Sequence, residues 1–305
     1  MPSKNQAEDP VFLMKKRWMN KSKRQQYLKK IIGNSGSKCL INKFIKKNGK
    51  LKVFITGASS GIGEALAYEY AAQDATLGLV ARRKDPLLIL KKKLAKEVNI
   101  YTADVRDRNA LRIAAEDFIG KYGAPDVVIA SAGVSSGTLT ESESDMDVFQ
   151  AVLDINLVGM MNTFQPFVLP MKKNNYGSLV GISSVAGTRG LPGAGAYSAS
   201  KAAVTAYLES LRIELNEYNL VVTTIAPGYI KTPMTRLNKF PMPFLMTSQV
   251  AAKKFIKAIN QHKKFIIFPW QMRLVVTMMR LIPAFIWDFI MKNAPRKSKS
   301  YWDWL

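Results

Sequence analysis

The chain has 305 residues, 48% of them hydrophobic, ample for one large domain and short for two. Its formal net charge of +23 is uneven: residues 1–52 hold 15 Lys and Arg against Glu8 and Asp9, residues 253–305 hold 11 against Asp288 and Asp303, and the middle is nearly neutral. Basic tails on a neutral body attract phosphate, on lipid or nucleic acid, or acidic proteins. The lone cysteine, Cys39, excludes an intrachain disulfide and fits a reducing compartment.

The first 50 residues form a basic extension. Trp18, Tyr27, Leu28, Ile31 and Ile32 give a helix around 11–32 a partly apolar face, and a solvated arm is the equal alternative. No apolar core of the kind a secretory signal needs is visible; the basic run from Lys15 to Lys30 would suit a transit peptide, but Glu8 and Asp9 count against one.

From Leu51 the pattern alternates strand and helix. Leu51–Thr56 is an apolar run suited to a buried parallel strand. Gly57, Gly61 and Gly63 then open a helix over Ile62–Gln73; glycines there let the backbone turn sharply and approach a pyrophosphate at the helix N-terminus. Thr76–Ala81 is the second strand. An acid at its end would bind the ribose hydroxyl of NAD and repel a 2′-phosphate, whereas the guanidinium groups of Arg82 and Arg83 can grip that phosphate, so the cofactor reads as NADP(H). A plain solvated basic patch is the alternative.

Helices follow over Pro86–Lys96 and Arg108–Lys121, and strands over Asn99–Thr102 and Asp126–Ser131. A long helical region runs from about Asp145 to Lys173, with a bend expected near Pro166. Gly177–Ser183 is strand, Ala196–Tyr218 helix, Leu220–Ala226 strand, and Lys264–Phe268 the last strand. Thr247 or Ser248 caps a helix whose apolar stripe is Ala251, Phe255 and Ile259. Repeated β-α units imply one α/β domain over 51–268, a doubly wound parallel sheet with helices on both faces.

Tyr197 and Lys201, four apart on a helix, share one face. An ammonium one turn away favours the phenolate and lowers a tyrosine pKa toward useful acid–base chemistry. Ser184 lies close enough upstream to hold a substrate oxygen at the same site.

Together Thr56-Gly-Ala-Ser-Ser-Gly61-Ile-Gly63, Ser184 and Tyr197-Ser-Ala-Ser-Lys201 resemble the short-chain dehydrogenase/reductase family, over roughly Leu51 to Phe268. The resemblance implies a Rossmann-type fold and a catalytic set of Asn156, Ser184, Tyr197 and Lys201. Asn156 would bend its helix and hold a water linking Lys201 to solvent. The implied cofactor contacts are Gly57, Ser59, Ser60, Gly61, Ile62, Gly63, Arg82, Arg83, Asp104, Val105, Ala132, Gly133, Tyr197, Lys201, Pro227, Gly228 and Thr232. Ser131 departs from the family's usual Asn-Asn-Ala-Gly and questions a structural hydrogen bond rather than the chemistry. No metal is implied.

Residues 229–247, rich in Met, Phe, Leu and Pro, would cover an apolar substrate or pack onto the body. Beyond Pro269 lies an apolar extension. Trp270 to Ile282 is 13 residues, too short as a helix for a hydrocarbon core of about 30 Å. Arg273, Thr277 and Arg280 form a narrow stripe beside an apolar arc, with Trp287, Trp302, Trp304, Arg296, Lys297 and Lys299 suited to an anionic headgroup region. Packing on the body or on a second subunit is the alternative. The expected protein is an NADP(H)-dependent enzyme interconverting a ketone and a secondary alcohol on an apolar substrate, such as a long-chain 3-oxoacyl or keto-lipid. It would be cytoplasmic, held peripherally on an anionic membrane surface and possibly a homo-oligomer; nucleic acid is an unlikely partner. A non-catalytic, membrane-associated interaction protein on the same fold is the rival reading.

Overall fold

The computed structural model describes residues 49–94, 97–238, 240–297 and 299. The helix expected around 11–32, and Trp302 and Trp304, lie outside the described residues.

Short apolar runs between glycine-rich turns build the centre. Strands β1 (Lys52–Thr56), β2 (Thr76–Ala81), β3 (Val98–Thr102), β4 (Val127–Ala130), β5 (Gly177–Ile182), β6 (Leu220–Pro227) and, after the two-residue strands β7 (Ile230–Lys231) and β8 (Met246–Thr247), β9 (Phe265–Phe268) are the strands among the described residues. Seven form one sheet in the order β3-β2-β1-β4-β5-β6-β9. Every pairing is parallel, with Val53 opposite Leu77 on one side and Val127 on the other. β2 and β5 are buried at every residue, as a sheet covered on both faces requires. The chain winds outward from β1 to β3, then returns to place β4 on β1's other side. Such a reversal opens a crevice at the strands' carboxyl ends, where ligands bind in sheets of this kind.

Among the described residues the helices in order are α1 (Gly61–Ala71), α2 (Lys84–Leu94), α3 (Arg108–Tyr122), α4 (Asp145–Leu153), α5 (Gly159–Asn174), α6 (Gly195–Glu214), α7 (Pro233–Arg236), α8 (Ser248–Asn260), α9 (Trp270–Leu281) and α10 (Ala284–Met291). Asp107 caps α3 by accepting from the Ala110 N–H at 2.9 Å, and Thr247 caps α8 as expected. Between β1 and helices α3 and α5, the ring of Phe54 packs edge-on against Phe118 at 5.5 Å and tilted against Phe167 at 4.7 Å. Gly78 makes that aromatic cluster possible: a Cβ there would sit 2.5 Å from the Phe54 ring and 2.7 Å from Phe118.

The long helical region breaks around Asn156, the residue that the family resemblance expected to bend its helix, and not at Pro166. α5 continues through Pro166 and Pro170, while a single π-helical turn over Asp154–Val158 separates it from α4. A π-turn inserts an extra residue and re-aims one side chain. The residue re-aimed is Asn156, which is fully buried. Ser131 directly follows β4, whose residues pair with both β1 and β5.

Candidate active site

The glycine loop is shaped by contact with its own backbone. Gly57 has φ +71°, and a Cβ on it would stand 2.6 Å from the Ala132 nitrogen; one on Gly63 would stand 2.3 Å from the Gly57 carbonyl oxygen. Only glycine lets β1, β4 and α1 approach so closely. Across the crevice the loop meets Thr232, whose methyl would lie 3.2 Å from a Cβ at Gly61. Thr232 is held by a reciprocal cap: its hydroxyl accepts from the Thr235 N–H at 3.3 Å, while its own N–H donates to the Thr235 hydroxyl at 3.0 Å. Gly228 donates to the Phe268 carbonyl at 2.7 Å, fixing the turn after Pro227 at the end of β6.

At the far end of the crevice, Asp104 and Val105 follow β3. Arg106 binds Asp104 with three hydrogen bonds, Nε to Oδ1 at 3.1 Å, a terminal nitrogen to Oδ2 at 2.8 Å and its backbone N–H to Oδ1 at 2.9 Å. Arg82 approaches the same carboxylate at 4.0 Å, and Arg83 is exposed beside it. Burial alone would raise the Asp104 carboxyl, but the Arg106 hydrogen bonds and the charges of Arg106 and Arg82 together hold it below the usual carboxylate range. Val105 is pinned from α5, where Asn162 donates to its carbonyl at 3.0 Å.

Ser184, Tyr197 and Lys201 meet where β5 ends and α6 begins. Ser184 caps a 3-10 turn over Val185–Gly187, its hydroxyl accepting from the Ala186 N–H at 3.1 Å. That leaves the hydroxyl's own hydrogen for Tyr197, to which it is hydrogen-bonded. Lys201 is buried and donates from Nζ to the Ile182 carbonyl at 2.9 Å, and burial pulls its ammonium down to about 8. Asn156 uses both amide hydrogens, on the Val134 carbonyl at 3.0 Å and the Ser200 hydroxyl at 2.9 Å, while its oxygen accepts from the Val134 N–H at 2.8 Å. Gly133 fits between Asn156 and Lys201: a Cβ there would lie 3.2 Å from the Asn156 oxygen and 3.5 Å from Lys201 Nζ.

One expectation is corrected. Lys201 does not draw the Tyr197 phenol down. Nζ lies 5.8 Å from the ring centroid and points to the Ile182 carbonyl, and burial pushes the phenol above its ordinary value, partly offset by the Ser184 hydrogen bond.

Several residues of this site carry no signal of their own in the sequence. Ser183 ties β5 to α6, donating to the Lys201 carbonyl at 3.0 Å and pairing with the Thr205 hydroxyl at 2.8 Å. Arg106 and Asn162 steady the cofactor end. Arg189 donates to the carbonyls of Met279 and Ile282 at 3.0 and 2.8 Å and stands 4.9 Å over the Trp287 ring. Of the basic residues expected to suit an anionic headgroup region, Arg296 is exposed, Lys299 pairs with Asp145 at 2.9 Å while staying exposed, and Lys297 stands 5.4 Å from the Tyr197 ring centroid. Trp287 also faces the body, donating to the Gly190 carbonyl at 3.3 Å.

Residues 51–240 match the short chain dehydrogenase family, and the chain belongs to it. It is 35% identical to an uncharacterized oxidoreductase of Myxococcus xanthus over 77% of this chain and 93% of that one. It is 34% identical to an 11-beta-hydroxysteroid dehydrogenase-like protein of Arabidopsis thaliana over 79% of this chain and 76% of that one. Among solved structures, a Mycobacterium paratuberculosis short chain dehydrogenase bound to NAD superposes with TM-score 0.63 at 25% identity, covering 71% of this chain and 95% of that one. The protein is thus an NAD(P)-dependent type of oxidoreductase acting on CH–OH groups, and the rival reading as a non-catalytic interaction protein falls away.

Proposed function

We propose that this protein is an NADP(H)-dependent reductase/dehydrogenase that interconverts a ketone and a secondary alcohol on an apolar substrate. The observation that carries the reading is the convergence of Ser184, Tyr197 and Lys201 at the mouth of the crevice, with the glycine loop on its opposite wall.

The residues present fit a dinucleotide. Gly57, Gly61 and Gly63 would admit the pyrophosphate at the α1 N-terminus, with Ser59, Ser60 and Ile62 around it. Asp104 and Val105 would hold the adenine end, and Ala132, Gly133, Pro227, Gly228 and Thr232 the nicotinamide end. Arg106 takes the close hydrogen bonds of Asp104, so Arg82, which only approaches that carboxylate at 4.0 Å, and the exposed Arg83 would be the ones to turn to a 2′-phosphate. When bound, the nicotinamide supplies or accepts the hydride.

The chain's own residues handle the oxygen and the proton. Ser184 would hold the substrate oxygen, and Tyr197 would donate the proton to it during reduction. Because burial keeps the phenol protonated at neutral pH, Tyr197 stands ready as an acid without any prior proton uptake. Lys201 would bind the nicotinamide ribose. Both hydrogens of the Asn156 amide are committed, so only its oxygen can hold a relay water. The exposed Leu237, Phe244 and Leu245 of the 229–247 segment favour an apolar substrate such as a long-chain oxoacyl or keto-lipid.

Measuring oxidation of NADPH and NADH with a series of apolar ketones tests the reading. Turnover with NADPH at a lower KM than with NADH is expected; an equal or lower KM for NADH would overturn the cofactor assignment.

A second reading concerns location. α9 and α10 leave Leu274, Met278, Leu281, Phe285 and Phe289 exposed, beside the exposed Arg273 and Arg280. No single helix among the described residues is long and apolar enough to cross a membrane, and the two meet at a bend of 119°. Such a bent apolar face with flanking cations suits the interface of an anionic membrane, on its cytoplasmic side. Full-length protein should float with anionic liposomes at low salt. Protein that stays at the bottom and sediments as a dimer or larger would assign the face to a second copy instead.

A further inference from the structure

The segment after α10 returns across the mouth of the active site, and its path is fixed from both sides. On one side, Gly193 (φ +69°) lies so close that a Cβ on it would stand 3.0 Å from Arg296 Cβ and 3.2 Å from the Lys297 nitrogen. On the other, Lys299 pairs with buried Asp145 at 2.9 Å and donates to the Ser142 hydroxyl at 3.2 Å. Further back, Arg189 holds the end of α9 and Trp287 donates to Gly190. A cavity of about 400 Å³ opens beside this strap, lined by Leu139, Thr140, Glu141, Pro192, Gly193 and Arg296.

Lys297 is the residue this path delivers to the chemistry. Its ammonium stands 5.4 Å from the centroid of the Tyr197 ring. Its neighbour on the strap, Lys299, has a carboxylate; Lys297 pairs with none among the described residues. Burial, with no compensating anion, pulls its pKa down to about 8. An ammonium taken partly out of water and left without a counter-charge is costly. The cost is offset when a ligand supplies the missing acceptor, and in a half-closed site that interaction is stronger than in water.

Resting on the reading of Tyr197 as the proton donor, we infer that Lys297 is a substrate-recognising residue. It selects ketones that carry an electron-rich oxygen, a carboxylate or an acyl carbonyl, a few atoms from the carbonyl that Tyr197 serves. An apolar chain would then leave along the exposed 229–247 segment, making the preferred substrate an oxo acid or oxoacyl compound rather than a plain ketone.

The test compares a 4-oxo carboxylic acid, its methyl ester and the plain ketone of matched length, in wild type, Lys297→Met and Lys297→Arg. The expected result is a kcat/KM ratio of acid to plain ketone that falls at least tenfold in Lys297→Met, chiefly through KM, and recovers in part in Lys297→Arg. An ester that follows the acid points to the acyl carbonyl; an ester that follows the ketone points to the full anion. A ratio within twofold of wild type in Lys297→Met overturns the inference, because a strap that merely braces the fold would move all three substrates alike. Calorimetric titration of the acid into each protein gives a readout independent of turnover: affinity should drop at least tenfold in Lys297→Met, and equal affinity overturns the inference too. Tyr197→Phe separates the two readings. If that variant stays active, the assignment of the proton donor fails; if it is dead while the acid-to-ketone ratio is indifferent to residue 297, only the role of Lys297 fails.

Discussion

The two walls of the crevice are built by different means. The cofactor wall is made of backbone: Gly57 and Gly63 sit where a single methyl group would strike main-chain atoms, and Gly133 where one would crowd the Asn156 amide oxygen. The substrate wall is made of side chains brought from distant parts of the chain. Arg189 reaches carbonyls 90 and 93 residues away, and Lys299 reaches Ser142 across 157. A wall of backbone contacts admits one residue type at each point and fixes one ligand shape. A wall of long side chains over a strap can be rebuilt by substitution, and that is where members of one fold differ in what they act on.

The sharpest way to break the comparison is at the point both walls share. Tyr197→Phe keeps the ring and removes the transferable proton, so turnover should fall by about 10²-fold or more while cofactor affinity survives. Steady-state kinetics beside a cofactor titration read both quantities. Near-normal turnover with any competent ketone would mean the proton comes from elsewhere.

A smaller effect isolates the cofactor wall. Replacing Arg82 and Arg83 with Ala removes charge-assisted hydrogen bonds worth about 1.5–3 kcal/mol each to a bound phosphate. Because both residues are at least one-third exposed, solvent screening brings the expected rise in KM for NADPH to about tenfold. KM for NADH should move far less. Equal increases for both cofactors would place the two arginines in a structural role, through the Asp104 cluster.

The difference between the walls also explains what could be read from the sequence. The strand and helix order, the glycine loop and the grouping of Ser184, Tyr197 and Lys201 were legible, because local backbone demands and short spacings set them. The helix break was legible only through the family resemblance, which put a bend at Asn156; residue type alone pointed to Pro166, yet α5 continues through it, and the break falls at the π-turn that buries Asn156. A π-turn has no short sequence signature; what fixes this one is the set of hydrogen bonds from Asn156 to Val134 and Ser200, visible only once the chain is folded. The contacts of the C-terminal cations were out of reach for a related reason. Composition marks Arg296, Lys297 and Lys299 as surface charge, and nothing local records that Asp145 and Tyr197 stand opposite two of them. The raised Tyr197 phenol is of the same kind: spacing puts Lys201 one turn away, but the Ile182 carbonyl decides where its ammonium points.

The smallest effect concerns the link that holds the substrate wall in place. Arg189 satisfies two carbonyls at the end of α9, Met279 and Ile282, and stacks on Trp287. The last carbonyls of a helix have no partners within it, so they depend on such a donor or on water. Arg189→Ala leaves them to solvent and removes the stacking surface. The expected loss is about 1–2 kcal/mol, since the site is only partly buried and water can enter. For a domain of this size that corresponds to a fall in Tm of roughly 2–6 °C. The change should be local: limited proteolysis should cut between α9 and the strap faster than in wild type, while the glycine loop keeps its affinity for NADPH. Because Arg189 touches Trp287 and the end of α9 but not the cofactor wall, a variant that lost NADPH affinity along with its C-terminal protection would show that the two walls fold as one unit. Unchanged proteolysis would show instead that the Lys299–Asp145 pair and the close fit of Arg296 against Gly193 suffice to hold the strap without it.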